Sequence, residues 1–223
     1  MAENTEEFIN EYTICNCLKL GDKAPDFDAV TTNGNINFYD YKRGSWALLF
    51  SHPGDFTPVC STEFVAFAQN QEEFDKRGVK LIGLSVDSVH SHIAWLRDIE
   101  KAFDVEIKFP VIADLSAEVA NLYGMIHPSI SDTQTVRTVF IIDPDNLIRY
   151  MVAYPQSVGR NIHEILRTLD ALMVVSKNNV ATPADWQEGQ SVIIPPPKTL
   201  QDSQKDRNDA EECLTWYLCK KKI

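Results

Sequence analysis

Apolar residues along this chain switch repeatedly between strand-like and helix-like spacing. Trp46-Ala47-Leu48-Leu49-Phe50-Ser51 is a compact apolar run, short enough to predict a buried strand. His52-Pro53-Gly54-Asp55 breaks it. Phe64, Phe67, Ala68 and Phe74 then recur at helical spacing. The helix they predict begins near Pro58 to Ser61, because proline lacks only an N–H that a first turn leaves unpaired anyway. Gly78 supplies its C-terminal cap. Residues 79–86 predict a second strand, and Val89, Ile93, Leu96, Ile99 and Phe103 predict a second helix. A short strand over 109–113 and a short helix over 116–123, closed by Gly124, follow. Asp143-Pro144-Asp145-Asn146 is a turn signal between strands over 138–142 and 147–153, and 161–175 reads as a long amphipathic helix. Nearer the N-terminus, Asn33-Gly34 predicts a hairpin.

This order predicts an α/β fold: a central mixed β-sheet with helices on both faces. Residues 1–18 carry no strong periodicity and read as an N-terminal extension. Residues 19–175 form the folded domain. Composition shifts near Ser176, where Pro195-Pro196-Pro197 forms a stiff linker before a strongly polar stretch over 201–209. Residues 176–223 are expected to be an extended C-terminal dimerisation arm that packs on another copy of the chain.

Bulk properties narrow the function. A net charge of −11 argues against nucleic acid or an anionic membrane as partner, since each demands a basic face. No apolar run approaches the roughly 18 residues that span a bilayer. The acidic start, Met1 to Glu7, resembles neither a secretion signal nor a mitochondrial presequence, so a cytoplasmic protein is expected.

The five cysteines, at 15, 17, 60, 213 and 219, are odd in number and contain no Cys-x-x-Cys pair. A structural disulfide framework, a zinc ribbon and a thioredoxin-style dithiol are all disfavoured, and no metal is expected. Cys60 sits where a loop becomes a helix. Unpaired N–H groups of a first turn stabilise an anion, and thiols so placed fall from about 8.5 to roughly 3.5–7.5 in pKa. Thr57 offers a hydroxyl that can donate to a thiolate or a bound oxygen. Pro53 and Pro58 stiffen the loop. Ionisation alone is not enough for fast catalysis by a thiol. A free thiol is roughly 3% ionised near neutrality, so complete ionisation gains about 30-fold, or about 2 kcal/mol. Enzymes typically supply ~8 kcal/mol or more, so donors must also meet the charge that develops on a departing oxygen. These residues alone leave a reactive Cys60 and a buried structural one equally open.

The stretch Ser51-His52-Pro53-Gly54-Asp55-Phe56-Thr57-Pro58-Val59-Cys60-Ser61-Thr62-Glu63 resembles the peroxidatic-cysteine loop of peroxiredoxins, in the one-Cys-like long-chain subfamily. The resemblance runs from about Leu18 to Pro197 and includes Ser85-Val86-Asp87-Ser88, Leu122-Tyr123-Gly124-Met125, Tyr154-Pro155 and Thr182-Pro183-Ala184-Asp185-Trp186. It implies a thioredoxin-like fold and the reduction of hydrogen peroxide and organic hydroperoxides without cofactor, metal or haem. It implies attack by Cys60, which becomes a sulfenic acid, with Thr57 and Pro53 in the same loop. The family's active-site arginine falls on Arg137, and a second subfamily arginine on Arg160. His52 and Glu63 lie within the motif. His52 is a candidate substrate contact or a packing residue, and Glu63 can be a first-turn helix stabiliser. Some relatives carry a Gly-x-Ser-x-Gly motif; here Arg43-Gly44-Ser45-Trp46-Ala47 lacks both glycines, so no phospholipase activity is expected.

The arm segment Glu211-Glu212-Cys213-Leu214-Thr215-Trp216-Tyr217-Leu218-Cys219 resembles that of archaeal-type long peroxiredoxins, in which an arm cysteine forms a disulfide with the neighbouring subunit's peroxidatic cysteine. The resemblance makes Cys219 the expected resolving residue, ahead of Cys213. If 209–219 were helical, the two would lie about 9 Å apart along the axis, beyond the roughly 7 Å reach of a disulfide. The expected partners are a hydroperoxide, a thioredoxin-like protein or small thiol as reductant, and further copies of the chain, as a homodimer or a decamer. The competing reading is a peroxide-sensing redox switch or holdase chaperone with slow turnover. Cys15 and Cys17 match nothing in the family.

Overall fold

The computed structural model describes residues 18–205 and 207–223; Cys15 and Cys17 lie outside them. β3 (Trp46–Ser51) and β6 (Arg137–Ile142) are buried along their whole length and lie side by side inside a seven-stranded sheet. β4 (Val79–Ser85) pairs parallel to β3, and β5 (Val111–Ala113) parallel to β4. β6 pairs antiparallel to β3, and β7 (Ile148–Tyr154) antiparallel to β6. The hairpin of β1 (Asp28–Thr31) and β2 (Gly34–Asn37) closes the far edge, with Asn33-Gly34 at the turn. The mixed sheet is the expected one.

Alternation along β3 sorts the core into two layers. Trp46, Leu48 and Phe50 face one side, under α2 (Pro58–Gln69), α4 (Val89–Phe103) and α6 (Ile162–Asn178). Ala47 and Leu49 face the other, with Phe38 of α1 (Phe38–Lys42) and Val119 and Ala120 of α5 (Glu118–Leu122). Gly83 of β4 lets two rings meet over the sheet: a Cβ there would sit 3.3 Å from the Cζ atoms of both Phe50 and Phe64.

The single helix expected over 58–78 is broken. α2 stops at Asn70, whose side-chain amide donates to Ala66 O (2.8 Å), and α3 (Gln71–Lys76) begins directly after. The Asn70 backbone N–H donates to the same carbonyl (3.2 Å), so the residue closes the last turn of α2 with both its main chain and its side chain. Residues 38–42, which show no clear period, form the short α1.

The C-terminal region differs more. A second sheet, ordered β8 (Val192–Ile193), β10 (Leu218–Lys221), β9 (Glu212–Thr215), is built there, with a short helix α7 (Leu200–Ser203) between β8 and β9. Val180, Trp186 and Val192 pack with Ala171 of α6. Residues 209–219 are therefore a hairpin and not a helix. In it Cys219 pairs opposite Cys213, their Cα atoms 4.1 Å apart, and the two form a disulfide. The spacing objection to their pairing disappears with the helix that motivated it. Among the described residues no helix is long and apolar enough to cross a membrane.

Candidate active site

β3 delivers the chain to the loop 52–57, and α2 lifts it away again. Thr57 is the N-cap of α2, in extended conformation, and Pro58 is the first helical residue. Phe56 precedes them at φ +55°, a left-handed backbone that a bulky side chain rarely adopts. This sharp turn starts the helix so that Cys60 falls in its first turn, where backbone N–H groups lack helical partners. Cys60 is completely buried and is the free cysteine among the described residues.

Three segments distant in sequence converge on it. Arg137, at the head of β6, points Nη1 at Cys60 Sγ (3.4 Å) and at Glu63 Oε2 (2.7 Å). Its Nε and Nη2 donate to Gln156 O (2.9 and 2.6 Å), which fixes the plane of the guanidinium. Glu63 lies one turn beyond Cys60 on α2. Arg160, just before α6, donates to Glu63 Oε1 from its backbone N and from Nε, both at 2.8 Å, and to Oε2 from Nη2 at 2.7 Å. Arg160 Nη1 reaches Ser51 O (3.0 Å) and Thr138 O (3.1 Å), and its guanidinium lies over the Phe50 ring, 5.2 Å from the centroid. Burial alone would raise the Glu63 carboxyl, but the two guanidiniums and their hydrogen bonds hold it below the ordinary glutamate range.

The charge count is informative. Two buried guanidiniums and one buried carboxylate leave one uncompensated positive charge beside a sulfur. Arg137, so held beside Cys60 Sγ, is the cation that can meet charge on a departing oxygen.

Several residues hold different positions from those expected. The Thr57 hydroxyl donates to Gly54 O (2.9 Å) and not to Cys60. As the N-cap residue it makes no side-chain bond to the first turn of α2. Arg160 touches Glu63 and backbone carbonyls, so its ties are to the residue that holds Arg137 and not to the sulfur. Glu63 lies beyond the first turn of α2 and is buried between two arginines. Pro53 is buried within the loop, as a rigid wall requires. His52 is fully buried, with Nε2 on Asp55 Oδ1 (3.0 Å) and Nδ1 without a partner among the described residues. Burial pushes His52 towards its neutral form despite the neighbouring Asp55. Its ring stacks 5.0 Å from Trp95, whose Nε1–H donates to Ser61 Oγ (3.1 Å), next to Cys60. Cys213 and Cys219 are tied to each other by their disulfide. Sequence reasoning missed Gln156, His92 and Trp95. The only local signal for the last two was their i, i+3 spacing on one face of α4.

The AhpC/TSA family description matches residues 20–151, and the C-terminal domain of 1-Cys peroxiredoxin matches residues 171–209. A peroxiredoxin of Aquifex aeolicus is 53% identical over 215 residues, covering 92% of this chain and 97% of that protein. One from Methanosarcina mazei is 54% identical over 213 residues, covering 91% and 97%. Among solved structures, a yeast mitochondrial 1-Cys peroxiredoxin, studied for thiol resolution via glutathione/thioredoxin systems, superposes with a TM-score of 0.83 at 46% identity, covering 92% of this chain and all (100%) of that one. The C45S mutant of peroxiredoxin 6 of Arenicola marina gives 0.77 at 41% identity, covering 83% and 87%. The two family descriptions, the identities above 50% over nearly the whole chain and the shared thioredoxin-like fold lead to one conclusion: the chain belongs to the peroxiredoxin family of thiol-dependent peroxidases.

Proposed function

We propose that Cys60 reduces hydrogen peroxide and organic hydroperoxides, and that the C-terminal cysteines regenerate it. The supporting observation is the Arg137 guanidinium 3.4 Å from Cys60 Sγ, held by Glu63 and the Gln156 carbonyl. The thiolate attacks the outer peroxide oxygen, the O–O bond breaks, and the sulfur becomes a sulfenic acid. The departing alkoxide or hydroxide carries the other oxygen away and takes up a proton as an alcohol or water. Arg137 stabilises that departing charge. Thr57 orients the peroxide by accepting its O–H, and Pro53 shapes the wall. Arg160 supports Arg137 through Glu63, and His52 presents a buried Nδ1 lone pair to the loop.

Resolution follows by thiol chemistry. The Cys219 thiol condenses with the Cys60 sulfenic acid of a second copy, giving an intersubunit disulfide and water. The Cys213 thiolate then attacks Cys219 sulfur, forming Cys213–Cys219 and releasing the Cys60 thiolate. The pairing of those two cysteines in the hairpin supports this order, since it is the product of the second step. Cys213 is exposed and Cys219 buried, so an external thioredoxin-like or small thiol would enter at Cys213. Leu214, Trp216 and Tyr217, exposed by 62, 56 and 54% around the hairpin turn, form an apolar surface suited to packing on a second copy in a dimer or decamer.

Reduced protein treated with one equivalent of peroxide and digested without reductant tests this sequence of events. A Cys60–Cys219 cross-linked peptide, trapped in a Cys213→Ser protein, is the expected product. A Cys219→Ser protein that still forms a covalent dimer through Cys60 would overturn it.

A further inference from the structure

Behind the peroxidatic loop lies a closed cluster of three side chains: His52 and Asp55 from the loop, and His92 from α4. His92 is fully buried, and its Nε2 faces Ile112 O at 3.1 Å. A carbonyl oxygen only accepts, so this nitrogen must carry a proton. The other nitrogen, Nδ1, faces both oxygens of Asp55, at 3.0 and 2.8 Å. A carboxylate also only accepts. A neutral imidazole has one N–H and would leave a lone pair pointing at that carboxylate, so one further proton must lie between the two groups. It belongs to the ring. Burial alone would raise the Asp55 carboxyl, but hydrogen bonds from His52 and His92, and the charge of His92, hold it far below the carboxylate range.

We propose that His92 is carried as a buried imidazolium and acts as a positioning residue for the Cys60 loop. Its charge cancels that of Asp55, so the cluster with neutral His52 has no net charge, the condition for burying it. Asp55, so held, accepts from His52 Nε2 at 3.0 Å. That bond fixes His52 in the Nε2–H form and leaves the lone pair on Nδ1. The Asp55 backbone N–H donates to Asp87 Oδ2 (3.0 Å), which also accepts from Ser85 Oγ (2.7 Å). The loop is thus clamped from β4 and α4 at once. On the same face of α4, Trp95 stacks on His52 and bonds Ser61. No atom of His92 touches the sulfur: the residue acts on Cys60 through the loop. The kinetic part of this inference rests on Cys60 being the peroxidatic residue; the protonation state does not.

Two measurements test it. Long-range proton–nitrogen NMR of the reduced protein near neutral pH should show both ring nitrogens of His92 protonated and His52 protonated on Nε2 alone. Asp55→Asn should remove one of the two His92 ring protons at the same pH, with the fold retained by circular dichroism. Peroxide reduction by Asp55→Asn and His92→Phe should fall about 10- to 100-fold, the scale expected when a reacting group is misplaced by about 1 Å. A His92 ring with a single proton in the parent protein would overturn the proposal, even if the His92→Phe protein fails to fold. So would unchanged rates in both variants. An inactive parent protein with a doubly protonated His92 would instead count against the role of Cys60 and leave the ion pair standing.

Discussion

Replacing Glu63 by glutamine changes one atom and removes one charge. The Glu63 carboxylate accepts four N–H groups: two on Oε1 from Arg160 at 2.8 Å, and on Oε2 one each from Arg137 and Arg160 at 2.7 Å. Glutamine has one acceptor oxygen and one NH2. Whichever way the amide turns, its NH2 meets two donors, and two guanidiniums lose the charge between them. Removing one partner from a buried ion pair typically costs about 3–5 kcal/mol. With a urea m-value of about 2 kcal/mol per molar, the midpoint should drop by roughly 1.5–2.5 M. The assay is urea unfolding followed by circular dichroism, at one fixed protein concentration because self-association adds to apparent stability. The loss should depend on pH with a definite sign. Glu63 is held below its ordinary range, so its contribution is complete above the unfolded glutamate value of about 4.3 and is withdrawn as pH falls through the lower native value. The difference between the two proteins should therefore shrink in acid. A loss of less than about 1 kcal/mol near neutrality, the size of an exposed ion pair, would refute the description of Glu63 as the buried counter-charge of the site.

Other outcomes follow from the same geometry. Arg137→Met should lower the second-order rate of peroxide reduction by about 100- to 1000-fold, the usual cost of losing one donor to a developing anion; a near-parental rate in a competition assay would remove Arg137 from the chemistry. Gly83→Ala places a methyl group 3.3 Å from the Phe50 and Phe64 rings and should cost about 1–3 kcal/mol by overpacking, read as a lowered thermal midpoint; an unchanged midpoint would mean that the rings can move apart freely. Reducing Cys213–Cys219 should speed exchange of the Ile194 and Glu211 amides, which are bonded to Cys219 O and Lys220 O, while β3 and β6 amides stay protected. The loop is short, so the lost constraint is about 2 kcal/mol; uniform loss of protection across the chain would contradict local anchoring.

Local order was legible wherever one period dominated. The strands over 46–51 and 79–85, the helix over 89–103 and the hairpin about Asn33-Gly34 all lie where their spacing placed them. The burial of β3 followed as well, because a fully apolar strand must be covered on both faces. The chemistry was legible in part. The loop 51–63 marked Cys60, and the resemblance it carried pointed to Arg137. The hairpin of β9 and β10 was not legible. Every residue of β9 is exposed, so it shows no apolar alternation to distinguish strand from helix.

By itself, then, the sequence determined the alternation of strands and helices, the loop that presents Cys60 in a first helical turn, and the cysteines available for exchange. These depend on interactions between residues a few positions apart, which composition and spacing encode directly. Only the tertiary structure decided what surrounds that sulfur. Arg137 and Arg160 meet Glu63 across 74 and 97 residues, and His92 meets Asp55 across 37, because the pairing of β3 with β6 and the packing of α4 and α6 over one face bring them together. The buried charge set beside the sulfur is a property of that convergence. No single segment carries it, since each charged group taken alone would be more stable in water.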